Sequence, residues 1–530
     1  MSRKGMAEAA FIVMVITVVA KVVGFFREQL VAMFFGATGR TDAYAMAMLI
    51  PNYLTGVVQT VQVAFLPVFA GYLASEEREK AWRMASSVFT ISVLAVLVIG
   101  VLSIGPAPAI VRLVAPGYVG QRFGDTVFLT RIFLPAAALV HLGALLKAVL
   151  NSHQEFAVPA ASLLVQNLAI AASVALLAPA FGLWSLAIGT VGGYAGVVLI
   201  QLVRLFKERP QLRVSFELDE GTRKVFRLAA PLALATLASQ LYLLVERGLA
   251  SYLPEGVVAA IRFTDTVRQL PIGLFAAAVV TVIYPTLSSL WAKEDKAEFS
   301  STFISGFRYV QFIIVPSVVG FLLLANPIIR VIYERGEFTP AHTALTASVL
   351  VAFAPAVVGM AGVQVINVAF YSTQQTLVPV LLGIGSSVLN ILLDMLLVKP
   401  LGYVGLGVGN SVAQWALMGA GLYTVWRRIG GFRMRPLALG IAKILGASGA
   451  MGIYCYLAAR ATGYYGGGVP LMTDLRNTAV VVGGGALVYF LAAYVLKIEE
   501  MKTLTDAALR RLRSRRLRAT QESKGESSKT

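Results

Sequence analysis

Cysteine is almost absent. The one residue, Cys455, sits in the apolar run GASGAMGIYCYLAA, which excludes an intramolecular disulfide and offers no redox pair. Histidine is scarce too. His141, His153 and His342 are scattered, a pattern that argues against a His-based metal site. Charged residues make up 14% of the 530, where soluble domains carry about one-quarter. In their place 57% of the chain is hydrophobic, in runs that recur from end to end and leave no sizeable soluble domain. These proportions predict an all-α integral membrane protein. A net charge of +18 would suggest nucleic acid in a soluble protein. Here the positives collect in loops and tail, as membrane topology requires, and no nucleic-acid partner is expected.

A spanning helix needs about 20 apolar residues. By that measure fourteen spans are predicted, over residues 8–35, 42–72, 83–104, 126–151, 157–178, 182–205, 226–252, 257–289, 306–325, 343–371, 376–397, 402–426, 437–459 and 475–497. The start, MSRKGMAEAAFIVMVITVVAKVVGFF, shares features with a signal peptide. Its apolar run is too long and lacks a small-residue cleavage site, so it is read as a retained first helix. Lys and Arg gather in the loops at 76–83, 204–227 and 427–435, at Arg3 and Lys4, and in the tail RRLRSRRLR (510–518). The opposite loops PAFG (179–182) and LPEG (253–256) have none. Both termini are therefore expected on the cytoplasmic side. The last residues, ATQESKGESSKT, read as disordered.

An internal repeat organises the spans. Ser152, Gln154, Val158 and Pro159 match Ser372, Gln374, Val378 and Pro379 at an offset of 220 residues. The same offset pairs Gly182 with Gly402, Gly189 with Gly409 and Arg27 with Arg247; a small shift sets Asp42 opposite Asp265. The repeat covers six spans, an even number, so its copies are parallel. The predicted domains are an N-terminal half (1–220), a C-terminal half (221–430), two added helices (431–497) and a basic tail (498–530). Two such halves flanking a cavity are a transporter plan, working by rocking one against the other.

Ionisable residues inside the spans concentrate in the first two of each half. One half supplies Lys21, Arg27, Glu28 and Asp42; the other supplies Glu246, Arg247, Arg262, Asp265 and Arg268. A charge at mid-bilayer costs about 3 kcal/mol or more, so these are placed in a hydrated cavity. Three roles stay open. The charges simply pair to make burial tolerable; Arg27–Asp42 and Arg247–Asp265 close an outer gate; or the positives hold an anion. Lys21 and Arg27 suit the last, because an Arg fork binds phosphate in two-pronged fashion.

The stretch GFFREQLVAMFFGATGRTDAYAMAMLIPNYL (24–54) resembles the MurJ (MviN) family of lipid II flippases, within the multidrug, oligosaccharidyl-lipid and polysaccharide exporter superfamily. VERGLASYLPEG (245–256), LPIGLFAAAVVTVIYPTLS (270–288), ERGEFTP (334–340) and FYSTQQTLVPV (370–380) extend the likeness over the twelve-helix core. The resemblance implies a cell-membrane transporter rather than an enzyme. It would move the undecaprenyl-diphosphate-linked peptidoglycan precursor to the outer leaflet by alternating access, serving cell-wall synthesis and cell shape. It also implies that cavity arginines bind the diphosphate headgroup and that the two added helices form a groove for the lipid tail. Carried over by position, Arg27 matches a family arginine, Lys21 stands where arginine is common, Glu28 fills an acidic place and Asp42 is the TDA aspartate. The expected headgroup set is Lys21, Arg27, Arg262 and Arg268. The expected gate or charge network is Glu28, Asp42, Glu246, Arg247 and Asp265.

Two positions depart from the family pattern: Thr55 and Thr266 stand where arginine is common. Arg262 lies one turn before Thr266 on the same face and is the natural substitute; Arg268 lies roughly opposite. Alternative cargoes are another polyprenyl-diphosphate-linked glycan or, for a multidrug-type antiporter, a small molecule. An intramembrane enzyme is disfavoured, because the longest outer loop (105–126) holds one acid, Asp125, and no histidine. No cofactor is expected. An inside-negative potential favours outward movement of negative charge by about 2.3 kcal/mol per charge per 100 mV, and Na⁺ or H⁺ coupling stays open.

Overall fold

A computed structural model describes residues 3–208, 211–429, 431, 434–464 and 471–502. The tail motif at 510–518 lies outside the described residues. Among them there is no strand. The chain is an all-α integral membrane protein.

The helices run α1 (Arg3–Phe35), α2 (Gly39–Ala74), α3 (Arg78–Leu102), α4 (Ala107–Val114), α5 (Gly120–Ser152), α6 (Ala157–Phe181) and α7 (Leu183–Leu205). After a linker come α8 (Glu220–Ala250), α9 (Val257–Pro271), α10 (Ala277–Ala292), α11 (Lys296–Tyr333), α12 (Pro340–Phe353) and α13 (Ala356–Ser372). The chain continues through α14 (Leu377–Leu401), α15 (Tyr403–Ile429), α16 (Met434–Ala461), α17 (Leu471–Thr478) and α18 (Gly484–Val495). A π-turn at Ile272–Ala276 joins α9 to α10 directly after Pro271, whose missing N–H breaks the regular ladder.

Among the described residues, length and hydropathy admit ten spans, or eleven when α12 and α13, bent by 46°, count as one. The other predicted segments, α1, α8 and α15, are helical over their expected ranges. Glycines with Asn410, Ser411 and Gln414 dilute the apolar run of α15.

The helices gather into two compact bodies. One holds the residues up to Thr266 with Ile332–Val349 and Ser387–Leu406. In its core Phe65 stacks on Phe69 at 5.1 Å, Trp82 meets Phe69 edge-on at 5.5 Å, and Leu145, Leu146 and Val149 are fully buried around them. The other holds Val267–Val331, Leu350–Ser386 and the chain from Gly407 onward. There Phe312 packs on Tyr489 at 5.2 Å, and two buried arginines of α11 tie in the C-terminal helices. Arg308 reaches Glu499 and Glu500 at 2.8 Å each, and Arg330 reaches Asp474 at 2.8 Å.

Backbone turns carry a 220-residue periodicity. Gly36 and Gly256, Gln154 and Gln374, and Gly182 and Gly402 all adopt positive φ, at 62° and 88°, 60° and 58°, and 50° and 58°. Helices commonly end in this left-handed conformation, at glycine or a tolerant polar residue.

Candidate functional site

Two helix pairs build the site within the first body: α1 turning into α2 through residues 36–38, and α8 turning into α9 through 251–256. On α1, Glu28 is buried and Arg27 is its sequence neighbour, hydrogen-bonded to it. Arg27 also donates to Asn167 Oδ1 of α6 at 3.0 Å, while Asn167 Nδ2 holds the Ala20 carbonyl at 3.0 Å. From α9, Arg262 grips the same carboxylate with both edges of its fork: Nη2 to Oε1 at 2.9 Å and Nε to Oε2 at 3.2 Å. Its guanidinium lies over the Tyr44 ring at 4.5 Å. Two cations sharing one buried anion leave this cluster with a net positive charge. That arrangement can take up an anionic group without unpairing a carboxylate from all its partners. Lys21 is exposed on the same face of α1 as Glu28, about 10 Å down the axis at 1.5 Å per residue.

The helix starts form a second cluster. Asp42, fully buried in the first turn of α2, accepts the Gly256 amide at 2.8 Å through Oδ2 and the Ala259 amide at 2.7 Å through Oδ1. In return Glu255 Oε1 accepts the Gly39 amide at 2.6 Å. Each helix therefore has its N-terminal amides satisfied by a carboxylate carried on the other, where the helix dipole also favours negative charge. Arg122, at the start of α5, fastens the arrangement. It donates to Asp42 Oδ2 at 3.4 Å, to the Ser251 carbonyl at 3.3 Å and to the Leu253 carbonyl at 3.5 Å, and it stacks on Tyr118 at 4.2 Å. Gly256 is required twice over: its φ is positive, and a Cβ there would meet the Ala37 carbonyl oxygen at 2.2 Å. Beside this cluster opens a cavity of about 890 Å³, lined by Arg40, Arg122, Asp125, Glu255 and Glu337 among others.

A third group surrounds the end of α8. Arg247 pairs with Asp265 at 2.9 Å, as the sequence predicts, and Glu246 beside it is buried. Asp394 of α14 lies within electrostatic reach of Glu246. Both Asp394 oxygens, and both amide atoms of Asn390 one turn earlier, are buried without a hydrogen-bond partner among the described residues.

Several expectations are corrected. No Arg27–Asp42 pair forms: Arg27 is taken by Glu28 and Asn167, and Asp42 by backbone amides and Arg122. Arg268 lies on α9 beyond Thr266, where the first body ends. It belongs to the second body, where it donates to Asn410 at 3.3 Å and lies over Phe353 at 5.1 Å. Thr55 and Thr266 turn their hydroxyls onto their own helix backbones, at 3.1 Å to Asn52 O and 3.3 Å to Arg262 O. Sequence reasoning missed Arg122, Asn167, Tyr44, Glu255 and Asn390. Only Glu255 left a readable signal, as the lone charge in the turn LPEG.

A family model described as "Lipid II flippase MurJ" matches residues 31–473. The chain belongs to the MurJ family of lipid II flippases. A probable lipid II flippase MurJ of Vibrio cholerae is 30% identical over 437 residues, covering 79% of this chain and 83% of that protein. The Rickettsia prowazekii counterpart is 26% identical over 503 residues, covering 91% and 96%. Among solved structures, a lipid II flippase MurJ in an inward closed conformation superposes with a TM-score of 0.78 at 23% identity, over 92% of this chain and 98% of that one. An inward-facing multidrug resistance MATE transporter of the MOP superfamily gives 0.66 at 13% identity, over 78% and 98%. The fold of that lipid II flippase MurJ thus covers 92% of this chain.

Proposed function

We propose that this MurJ-family chain moves lipid II from the inner to the outer leaflet of the bacterial cell membrane by alternating access. The observation that carries the reading is the net-positive cluster of Arg27, Glu28 and Arg262, set among apolar helices. A diphosphate headgroup cannot enter hydrocarbon bare. Two guanidinium forks already converging on one carboxylate offer it matching charge and geometry. Arg27 and Arg262 bind the headgroup, Lys21 extends the positive path along α1, and Arg268 contributes from its own body. Asp42 and Glu255, with Arg122, keep the outer end closed, and Arg247–Asp265 braces the end of α8.

Both termini are cytoplasmic in this reading, on the strength of the basic loops. Two parallel halves divide near residue 220, and the recurring positive-φ turns support that division. The C-terminal helices accommodate the lipid tail. The membrane potential drives export of the negative headgroup, with Na⁺ or H⁺ coupling at Asp394 and Glu246. The Asp394 carboxylate, buried without a hydrogen-bond partner among the described residues, calls for a proton or a cation.

Complementation tests the function. A bacterium depleted of its own lipid II flippase should be rescued by the wild-type chain and not by Arg27→Ala, with equal amounts in the membrane. Failure of the wild type, once its insertion is verified, would contradict lipid II as cargo and favour another polyprenyl-diphosphate glycan, for which Thr55 and Thr266 are the specific pointers.

A further inference from the structure

The linker between α7 and α8 holds a feature that transport through the site above does not use. Residues 211–219 run outside helical structure alongside α3 and are bonded to it. The Arg213 amide donates to Ser86 Oγ at 3.0 Å, the Ser215 amide donates to Thr90 Oγ1 at 3.2 Å, and the Ser215 and Ser87 hydroxyls meet at 2.9 Å. In an extended chain side chains alternate between faces. Around the docked Ser215 that alternation is partial: Val214, Phe216 and Leu218 are 83%, 62% and 53% exposed, Arg213 and Glu217 are exposed as well, and Leu212 packs on the buried core. Next to them a cavity of about 670 Å³ is lined by Arg78, Arg83, Arg213 and Gln211, against Glu79 and Glu217. Glu79 is already paired with Arg83 at 2.9 Å. Arg78 and Arg213 are exposed and carry the pocket's positive character.

Three apolar side chains beside a basic pocket, at the level where α3 and α8 begin and α7 ends, match a membrane interface. Apolar groups there enter the acyl boundary while cations meet phosphates. We propose that residues 211–218 form a membrane-docked strap. Val214, Phe216 and Leu218 insert at the headgroup–acyl boundary, and Arg78 with Arg213 binds the phosphate of an anionic phospholipid. The strap is then an anchor at the junction between α7 and α8, held to α3 on one face and to lipid on the other. This holds for whichever leaflet the linker faces.

The test uses the full-length protein with Cys455→Ala and Phe216→Cys, spin-labelled at 216, in vesicles of phosphatidylcholine with or without phosphatidylglycerol. Oxygen should relax the label more than an aqueous nickel chelate does, whereas a label at Glu217→Cys should show the reverse. The protein-associated fraction of spin-labelled phosphatidylglycerol should fall about fivefold for each arginine removed in Arg78→Gln and Arg213→Gln. A label at 216 relaxed mainly by the nickel chelate overturns the strap. Unchanged phosphatidylglycerol association in the double variant, or its displacement by inorganic phosphate at physiological concentration, overturns the lipid site.

Discussion

Asp42 and Ala259 lie 217 residues apart, yet the Asp42 carboxylate accepts the Ala259 amide at 2.7 Å and so caps the start of α9. Glu255 completes the arrangement by capping α2 at Gly39. A hydrogen bond to a charged group contributes roughly 1.5–3 kcal/mol. Asp42→Asn should therefore lower the closed population of this end by about tenfold or more, and Glu255→Gln, with a single bond at stake, by less. The rate at which a thiol reagent labels Thr38→Cys in a Cys455→Ala background reads this directly; an unchanged rate in Asp42→Asn would remove these caps from the gate.

Arg262 and Thr266 sit one turn apart on α9. If Arg262 replaces the arginine that the family resemblance implies at Thr266, moving the guanidinium back should be tolerated. Arg262→Ala should lose rescue of a flippase-depleted strain, and Arg262→Ala with Thr266→Arg should recover part of it. Thr266→Lys should recover less, because an ammonium lacks the planar fork. Equal recovery by Lys would mean that charge alone matters.

Arg330 and Asp474 form a buried pair, reinforced by the Tyr464 carbonyl at 2.7 Å. Removing one partner of such a pair costs about 3–5 kcal/mol, while replacing both by apolar residues is close to neutral. Arg330→Ala should lower the thermal midpoint in detergent clearly, and Arg330→Met with Asp474→Leu should restore most of it. A midpoint unmoved by Arg330→Ala would show that α17 is held by packing instead.

Asp394 lies within electrostatic reach of Glu246, and its buried oxygens have no hydrogen-bond partner among the described residues. Asp394→Asn should make transport insensitive to a Na⁺ or proton gradient while leaving its dependence on membrane potential. Gradient dependence retained in the variant would place coupling elsewhere.

What the sequence discloses follows from its chemistry. Charges in apolar runs are conspicuous, so Arg27, Glu28, Asp42 and the Arg247–Asp265 pair stand out, and the helices follow from the length of those runs. Partners are harder to foresee. The donors to Asp42 are backbone amides, which leave no mark in the sequence, and Arg122 reaches it from a stretch that reads as a loop. Asn167 is one of a few polar residues in a greasy helix, next to Gln166 and with Ser162 and Ser173, so nothing singles it out. Arg268 falls a few residues from Arg262, and its contacts with Asn410 and Phe353, more than 80 residues on, leave no mark in the sequence.

The central claim is that the Arg27–Glu28–Arg262 cluster carries a diphosphate headgroup across the membrane. Its most direct test is flipping itself: purified protein in vesicles containing lipid II, a potential imposed across the bilayer, and the headgroup scored by a membrane-impermeant enzyme. Wild type should expose lipid II to the enzyme with time, and Arg27→Ala should expose no more than protein-free vesicles. Equal exposure by wild type and Arg27→Ala would contradict the account.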